Sequence, residues 1–389
     1  MPAVGNGHNV KTIDFRLLNF LAPLCAIAIS LALVAGGCGG GGSSPDCNKP
    51  PLLTGFLKAT GCSGGPTVSP TPTISAALWG ADGESVFEFL PSQLAMQGVS
   101  TPNPAIDFVV HGAVGVAFDS AGDLWAALVS SSGVGGTAPP SLEGFTPADL
   151  SQSPPFGPSP SVVIAFSGFA NPVRDVFDAN SDLWVSDSGN NSIFEYAPAQ
   201  LRTGGSNVTP NITITSNPPL NQPAAIAFDS AGDLWVANTG STTIFEFSAA
   251  SLSAAAGSAV VVAPNVILSD DGNGSIQTPS GLAFDASGNL WSSNTSTIVE
   301  FAKSVLGASG SPIPAVTISS TQLAGEPTII APSGIAFDNL GDLAVENEFS
   351  AAYGTSLFGK SQIGASGAPI PNALIGIGGG AGIAFGPVH

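Results

Sequence analysis

The residues best suited to chemistry in this sequence are oxygen donors in short polar segments between apolar runs. The chain carries 27 Asp and Glu residues against 8 Lys and Arg, so most carboxylates lack a cationic partner. Carboxylate and carboxamide oxygens are the ligands that a hard cation such as Ca²⁺ prefers. The residues predicted to hold such an ion are Asp187, Glu346, Asn238 and Asn294.

A second polar set occupies similar segments and is predicted to form a ligand-binding face: Asp82, Glu84, Asn190, Asp270, Asp271 and Glu348. The run from Asp270 to Ser275 resembles a calcium loop. However, Leu282 stands where an EF-hand beginning at Asp271 needs its Glu. A solvated polar rim is the simpler interpretation of both sets.

Residues for nucleophilic or acid–base catalysis are sparse. The chain has three His residues, of which His111 and His389 lie beyond the N-terminal segment. No Ser-His-Asp arrangement can be assembled around them. We therefore name no catalytic residue and favour a binding module over an enzyme.

A repeated element must position these polar segments. The motif Ala-Phe-Asp, followed by Gly-Asp-Leu-Trp, is clearest at 227–235 and recurs along the chain. With Phe118, Phe177, Phe228, Phe284, Phe337 and Phe385 as markers, the spacings are 59, 51, 56, 53 and 48 residues. Periods near 50 with several short strands per unit are typical of propeller blades.

Each unit is interpreted as four antiparallel strands, a to d, so the expected fold is an all-β, six-bladed β-propeller. The first unit lacks strand a, whereas the chain ends in an extra strand a, Ile383–Phe385. Pairing the two closes the ring and leaves no open edge between blades. The b–c and d–a connections, which carry the polar sets, are then expected to share one face.

Repeated residues within the units are interpreted as structural. All five Trp residues occupy one position of strand b, as expected for packing between blades. Asp residues that open and close the a–b turn are expected to accept backbone N–H bonds. Glu88, Glu195, Glu246 and Glu300 recur in strand c and are expected to be solvated or paired with backbone.

These motifs resemble NHL-repeat β-propellers, whose units read Gly-Ile-Ala-hydrophobic-Asp and then Gly-Asn/Asp-Leu-Tyr/Trp-Val-Ala. The resemblance covers about residues 74–389 and implies a recognition disc for a protein or glycan ligand. Related propellers imply alternatives: a lactonase-like hydrolase with Glu, Asn and Asp around a divalent ion, or a streptogramin lyase, which uses a catalytic His. For the hydrolase the candidates are Glu84 or Glu346, Asn238 or Asn294, and Asp187.

The N-terminus is predicted to direct export. Lys11 and Arg16 precede an apolar run, the layout of a secretory signal. The following 34–38 segment resembles a bacterial lipobox, which implies a signal peptide of 1–37, a lipid on Cys38 and a bacterial envelope location. An ordinary signal peptide, leaving a secreted or periplasmic protein, and an uncleaved anchor remain the alternatives.

Residues 38–73 are expected to form a Gly/Ser/Pro-rich tether, with 74–389 as the propeller. Cys47 and Cys62 form an even pair in an exported segment, which favours a disulfide. The net charge of −19 disfavours nucleic acid as a partner, because phosphate binding needs clustered Lys and Arg. We expect a monomer.

Overall fold

The computed structural model describes residues 75–95, 98–100, 102–133, 136–152, 158–255, 257, 259–323, 325–348, 354–376 and 382–389. All of them belong to a compact unit that spans Val68–His389. The predicted signal peptide, Cys38, the tether and the Cys47–Cys62 pair lie outside the described residues and stay predictions. Within the described ranges, no helix is long and apolar enough to cross a bilayer.

The prediction of a six-bladed, all-β propeller is confirmed. Six sheets of four or five strands are arranged around a central channel. The innermost strands a are Ala113–Phe118, Pro172–Phe177, Pro223–Phe228, Gly281–Phe284, Pro332–Phe337 and Gly382–Gly386. The last of these pairs antiparallel with Ala77–Ala81, the first strand b, and closes the ring as predicted.

The three outer strands of each blade follow in chain order. Strands b are Ala77–Ala81, Leu124–Leu128, Leu183–Asp187, Leu234–Asn238, Leu290–Ser293 and Leu343–Asn347. Strands c are Ser85–Phe89, Ser141–Phe145, Ser192–Tyr196, Thr243–Phe247, Thr297–Phe301 and Thr355–Phe358. Strands d are Ile106–Val109, Val162–Ala165, Ile212–Ser216, Val266–Ser269, Val316–Ser319 and Ala373–Ile375. Blades are numbered 1 to 6 by their strands b.

The a–b turns form as predicted, around an Asp that follows strand a. In blade 4, Asp229 Oδ1 accepts the N–H groups of Ala231 and Asp233 at 2.8 and 3.0 Å. Gly232 adopts φ +83°, a conformation that glycine reaches without steric cost. The corresponding position of blade 3 holds Ser181 at φ +65°.

The Trp residues of strand b pack between blades, which confirms their structural interpretation. Trp79, Trp125, Trp184, Trp235 and Trp291 are at most 3% exposed. Four of them contact a strand-a Phe of the next blade edge to face; for example, the Trp184 and Phe228 ring centroids lie 5.8 Å apart. Such contacts stabilise each blade interface beyond the apolar area they bury.

The expectation of four strands in every blade is incomplete. Blades 2, 3 and 6 carry a fifth, parallel outer strand, which comes from the c–d connection of the following blade. These strands are Gly205–Ser206, Ala259–Val262 and Gly98–Ser100. Single parallel bridges at Gly310 and Gly367 do the same for blades 4 and 5. Within the described residues, five of the six c–d connections therefore cover a neighbour's edge, which would otherwise present unpaired backbone groups.

Short helices and hairpins complete the connections. Short helices follow strand c in several blades; three of them begin with a proline, which favours the first helical position, and the fourth is capped by the Ser248 side chain. They span Pro91–Leu94, Pro147–Leu150, Pro198–Thr203 and Ala249–Ala254, with a 3-10 turn at Lys303–Val305. Two small hairpins pair Ser131–Gly133 with Gly136–Ala138 and Gln322–Leu323 with Glu326–Pro327.

The strand-c Glu residues were expected to be solvated or paired with backbone: three of the four are not solvated, and two of those three, Glu88 and Glu246, accept a backbone N–H as expected. Glu88, Glu195 and Glu246 are at most 4% exposed, each directly across from a strand-b Trp. Burial raises the pKa of Glu195 and of Glu246 to about 7. Glu88 Oε1 accepts the His389 N–H at 3.0 Å, and Glu195 Oε2 accepts from Asn211 Nδ2 at 2.8 Å. The fourth, Glu300, also lies across from a Trp, Trp291, but is only half-buried.

Candidate functional site

Asp187, the first predicted cation ligand, holds two loops together. It lies fully buried at the end of strand b of blade 3. Its Oδ2 accepts the Ala170 N–H at 2.8 Å, and its Oδ1 accepts those of Asn171 and Asn190 at 3.1 and 3.0 Å. The carboxylate thereby joins the d–a and b–c connections of its blade. Both of its oxygens are already engaged by N–H donors.

Asn238 and Asn294 occupy the equivalent position in blades 4 and 5. Their Oδ1 atoms accept the N–H groups of Asn221 and Gln277, each at 3.1 Å and each 17 residues earlier in the chain. The predicted cation ligands thus include three copies of one loop-fixing position. Among the described residues, no three His, Cys, Asp or Glu side chains form a group that could hold a metal ion.

The predicted ligand-binding face divides into turn residues and rim residues. Asp82, Asp270 and Asp271 accept backbone N–H groups within their own turns. Glu84 is exposed, and its Oε2 lies 2.9 Å from His111 Nδ1. The Asn190 side chain donates to the Gly168 carbonyl, which fixes its loop. Of this set, Glu348 lines a cavity of about 600 Å³ on the same face, the upper cavity.

The most distinctive residues of the channel are three departures from the repeat. Five of the six strands a carry Gly or Ala three residues before the marker Phe, and blade 3 carries Arg174 there. The next position is aliphatic in five strands and Asp175 in blade 3. In strand b, the position of Glu346 holds Ala or Ser in the other five blades. Arg174 was not predicted from the sequence, because the prediction relied on residues that recur. The signal that could have identified Arg174 is its departure from the repeat.

Arg174 crosses the channel from blade 3 to the opposite blade. Its Nη1 donates to the carbonyl of Val114 in blade 2, and its Nη2 donates to that of Ser333 in blade 6 at 2.8 Å. The space for this side chain comes from small neighbours: a Cβ on Gly382 would lie 3.2 Å from Arg174 Nη1 and 2.7 Å from Val114 O. One guanidinium therefore joins three blades across the channel.

Three carboxylates surround this guanidinium. Burial lowers the pKa of Arg174, while the negative charges of Glu346, Asp175 and Glu348 oppose that shift. Glu346 is fully buried in strand b of blade 6. Burial raises the pKa of Asp175 to about 7, and Arg174 limits the rise. Arg174, which is half-buried, therefore supplies a positive charge beside these acids.

An upper cavity opens above Arg174, on the face of the b–c and d–a connections. Its volume is about 600 Å³, within the usual range of small-molecule sites. Arg174 forms part of its lining, and Glu348 lies at its exposed edge. Its other polar residues are neutral: Asn171, Ser188, Gln222, Thr239, Ser280 and Ser333. The predicted common face of these connections therefore contains a concave polar site.

Neither described His lies in this cavity. His111 is exposed beside Glu84, and His389 packs against Trp79 and Phe118 near the C-terminus. The upper cavity thus offers hydrogen-bond donors and acceptors, one guanidinium and one carboxylate.

Neither a protein-family model nor a curated protein matches this sequence. Among solved structures, the chain is similar to a protein of unknown function from Bacteroides caccae, with 9% identity over 80% of this chain and 99% of that one and a TM-score of 0.52. It is also similar to a periplasmic gluconolactonase from Pseudomonas aeruginosa, with 13% identity over 81% and 99% of the two chains and a TM-score of 0.49. A streptogramin B lyase matches with 15% identity over 67% and 70% and a TM-score of 0.39. At these identities the similarity shows the fold alone.

Proposed function

We propose that this chain is an exported, lipid-anchored propeller of the NHL type that binds a protein or glycan ligand in its upper cavity and does not transform it. The observation that carries the proposal is the lining of that cavity. Neutral amide and hydroxyl groups lie beside one guanidinium, one carboxylate and several aliphatic side chains. Such a surface suits the hydroxyls of a sugar or the backbone and neutral side chains of a peptide.

The geometry of the polar groups supports recognition. Asn171 Nδ2 donates to Ser188 Oγ at 2.7 Å, which fixes both side chains at the cavity wall. Thr239 Oγ1 donates to the Pro279 carbonyl of the next blade at 2.6 Å. Polar groups held in place by such bonds lose little conformational freedom when a ligand binds, which favours affinity.

The alternative, a metal-dependent hydrolase, would require some of these residues to give up hydrogen bonds that they already form. Asp187 would have to exchange three backbone donors for a cation, and the two loops it joins would lose their link. Glu346 lies beside Arg174, whose charge repels a divalent ion. We therefore favour binding, and the cation assignment stays a prediction to be tested by thermal shift.

The experiment compares matched surface variants of the mature protein on an array of envelope glycans and peptides. Asn171→Leu removes a polar group from the cavity wall but keeps the backbone N–H that binds Asp187. Asn180→Leu changes an exposed Asn in the same blade on the opposite face and serves as the control. We expect the first variant to lose at least tenfold in affinity and the second to bind as the wild type does.

Two results would contradict the proposal. Equal binding by both variants would place the ligand elsewhere on the molecule. Turnover of a lactone by the purified wild type, abolished by chelation, would establish the hydrolase instead.

A further inference from the structure

A second cavity, the lower cavity, lies in the channel on the a–b turn side of Arg174. Its volume is about 360 Å³. The inner strands of all six blades contribute to its wall, through the residues just before the a–b turns. The lower and upper cavities share one lining residue, Arg174.

The lower cavity has a mixed wall, in which the Arg174 and Asp175 side chains and polar backbone groups lie beside apolar side chains, with Phe residues nearest the a–b turns. The marker residues Phe118, Phe177, Phe228, Phe337 and Phe385 line it and are half-buried, so part of each ring faces open space. Aliphatic side chains such as Ile226 and Ile335 lie further in. Aromatic rings attract cations through their negative faces as well as apolar groups through the hydrophobic effect.

One carboxyl group, that of Asp175, lines this cavity. Asp175 is 7% exposed, and neither of its oxygens accepts a hydrogen bond from any other residue that the structure describes. Gly115 makes room for it, because a Cβ there would lie 2.5 Å from Asp175 Oδ1. Leaving a buried polar group without a partner is costly, so an unmet acceptor of this kind points to a ligand.

The charge of Arg174 attracts Asp175, but the guanidinium does not donate a hydrogen bond to the Asp175 carboxyl group. Arg174 directs its guanidinium to the carbonyls of Val114 and Ser333, two residues that line the upper cavity. Glu346 also acts on that guanidinium, so one positive charge faces two buried carboxylates. When Asp175 is ionised, this group carries a net negative charge that an organic cation would neutralise.

We propose that the lower cavity is a second binding site, which takes a small amine with an apolar body. The ammonium group pairs with Asp175, and the apolar body packs among the Phe rings at the mouth. The proposal does not depend on what the upper cavity binds, because the two cavities open on opposite faces.

The test uses 2-phenylethylamine and its uncharged counterpart 2-phenylethanol as probes, titrated calorimetrically into the mature protein at pH 8. At this pH Asp175 is mostly ionised, since burial raises its pKa to about 7. We expect the amine to bind at least tenfold more tightly than the alcohol. Asp175→Asn should remove that difference and leave the affinity for the alcohol within twofold.

Two further variants make the test specific. Asp107→Asn removes an exposed carboxylate on an outer strand, and it should leave amine binding unchanged. Ala336→Leu fills the lower cavity from its wall, and it should abolish binding of both probes while the melting temperature shows that the fold persists. Equal affinity for amine and alcohol, an equal loss in the Asp107 and Asp175 variants, or no binding of the amine at millimolar concentration would each overturn the proposal.

Discussion

Replacing Arg174 with Met should destabilise the propeller by about 3–5 kcal/mol, the usual cost of removing one partner from a buried ion pair. The variant loses the two hydrogen bonds that join blade 3 to blades 2 and 6. It also loses the positive charge that acts on the buried carboxyl groups of Glu346 and Asp175. Methionine keeps much of the side-chain volume, so the loss reports the charge and its bonds.

A double-mutant cycle with Glu346→Gln separates the stability due to the interaction of Arg174 with Glu346 from the rest of the loss. Since the single Arg174 variant leaves an uncompensated carboxylate, the double variant should lose less stability than the sum of the two single variants, by about 1–3 kcal/mol. The loss in the Arg174 variant should also be smaller at pH 5 than at pH 8, because Asp175, with a pKa of about 7, is then neutral.

Urea unfolding followed by Trp fluorescence measures these differences, because all five Trp residues are buried between blades. Arg202→Met, at an exposed site, is the control and should change stability by less than about 0.5 kcal/mol. A loss below about 1 kcal/mol in the Arg174 variant, or additivity of the two substitutions, would refute the view that this guanidinium compensates buried carboxylates.

Four further outcomes follow from the fold and the sequence. Folding raises the pKa of Glu195 and Glu246 to about 7, so the folded state binds more protons than the unfolded state between about pH 4.5 and 7. Stability should therefore fall as pH rises through this window, and a flat melting profile, unaltered by replacing both with Gln, would contradict it. Deleting 382–389 should lower the melting temperature by more than 10 °C or cause aggregation, measured by scanning fluorimetry and light scattering; an unchanged midpoint would contradict ring closure. Millimolar Ca²⁺ should raise the melting temperature relative to EDTA at constant ionic strength if the predicted cation site exists, and Asp187→Ala should abolish the shift; no shift would remove the site. Cys38→Ala should abolish lipid labelling and membrane partition in an expressing bacterium, and unchanged partition would contradict the anchor.

The repeat made the fold predictable because a blade is a local structure. Strand order, the a–b turns and closure by the C-terminal strand all follow from residues that recur at one phase, such as Trp235 and Asp229. The fifth strands were not predictable in the same way. Gly205–Ser206 has no alternating pattern, and it pairs with Ile164 and Ala165 because the neighbouring blade presents an edge.

The site was less predictable than the fold for a physical reason. Asn238 and Asn294 were predicted to bind a cation because they carry oxygen donors. A polar residue that recurs in the repeat, however, usually accepts the same backbone N–H in each copy, as these two do. Arg174 and Asp175 each occur once, at positions that the other blades fill with small or aliphatic residues. Their importance appears when the ring brings blades 3 and 6 to opposite sides of one narrow channel.

The closing strand also sets an order of events during synthesis. Blade 1 is made first, but its inner strand, Gly382–Gly386, is translated last. Gly98–Ser100, by contrast, is translated early, but it can pair only after the outer strand of blade 6, Ala373–Ile375, has been made. Blade 1 is therefore completed by a late segment of the chain, and blade 6 by an early one. A ribosome-bound chain that has not yet exposed Gly382–Gly386 leaves blade 1 without its inner strand, so the ring closes only after this segment emerges.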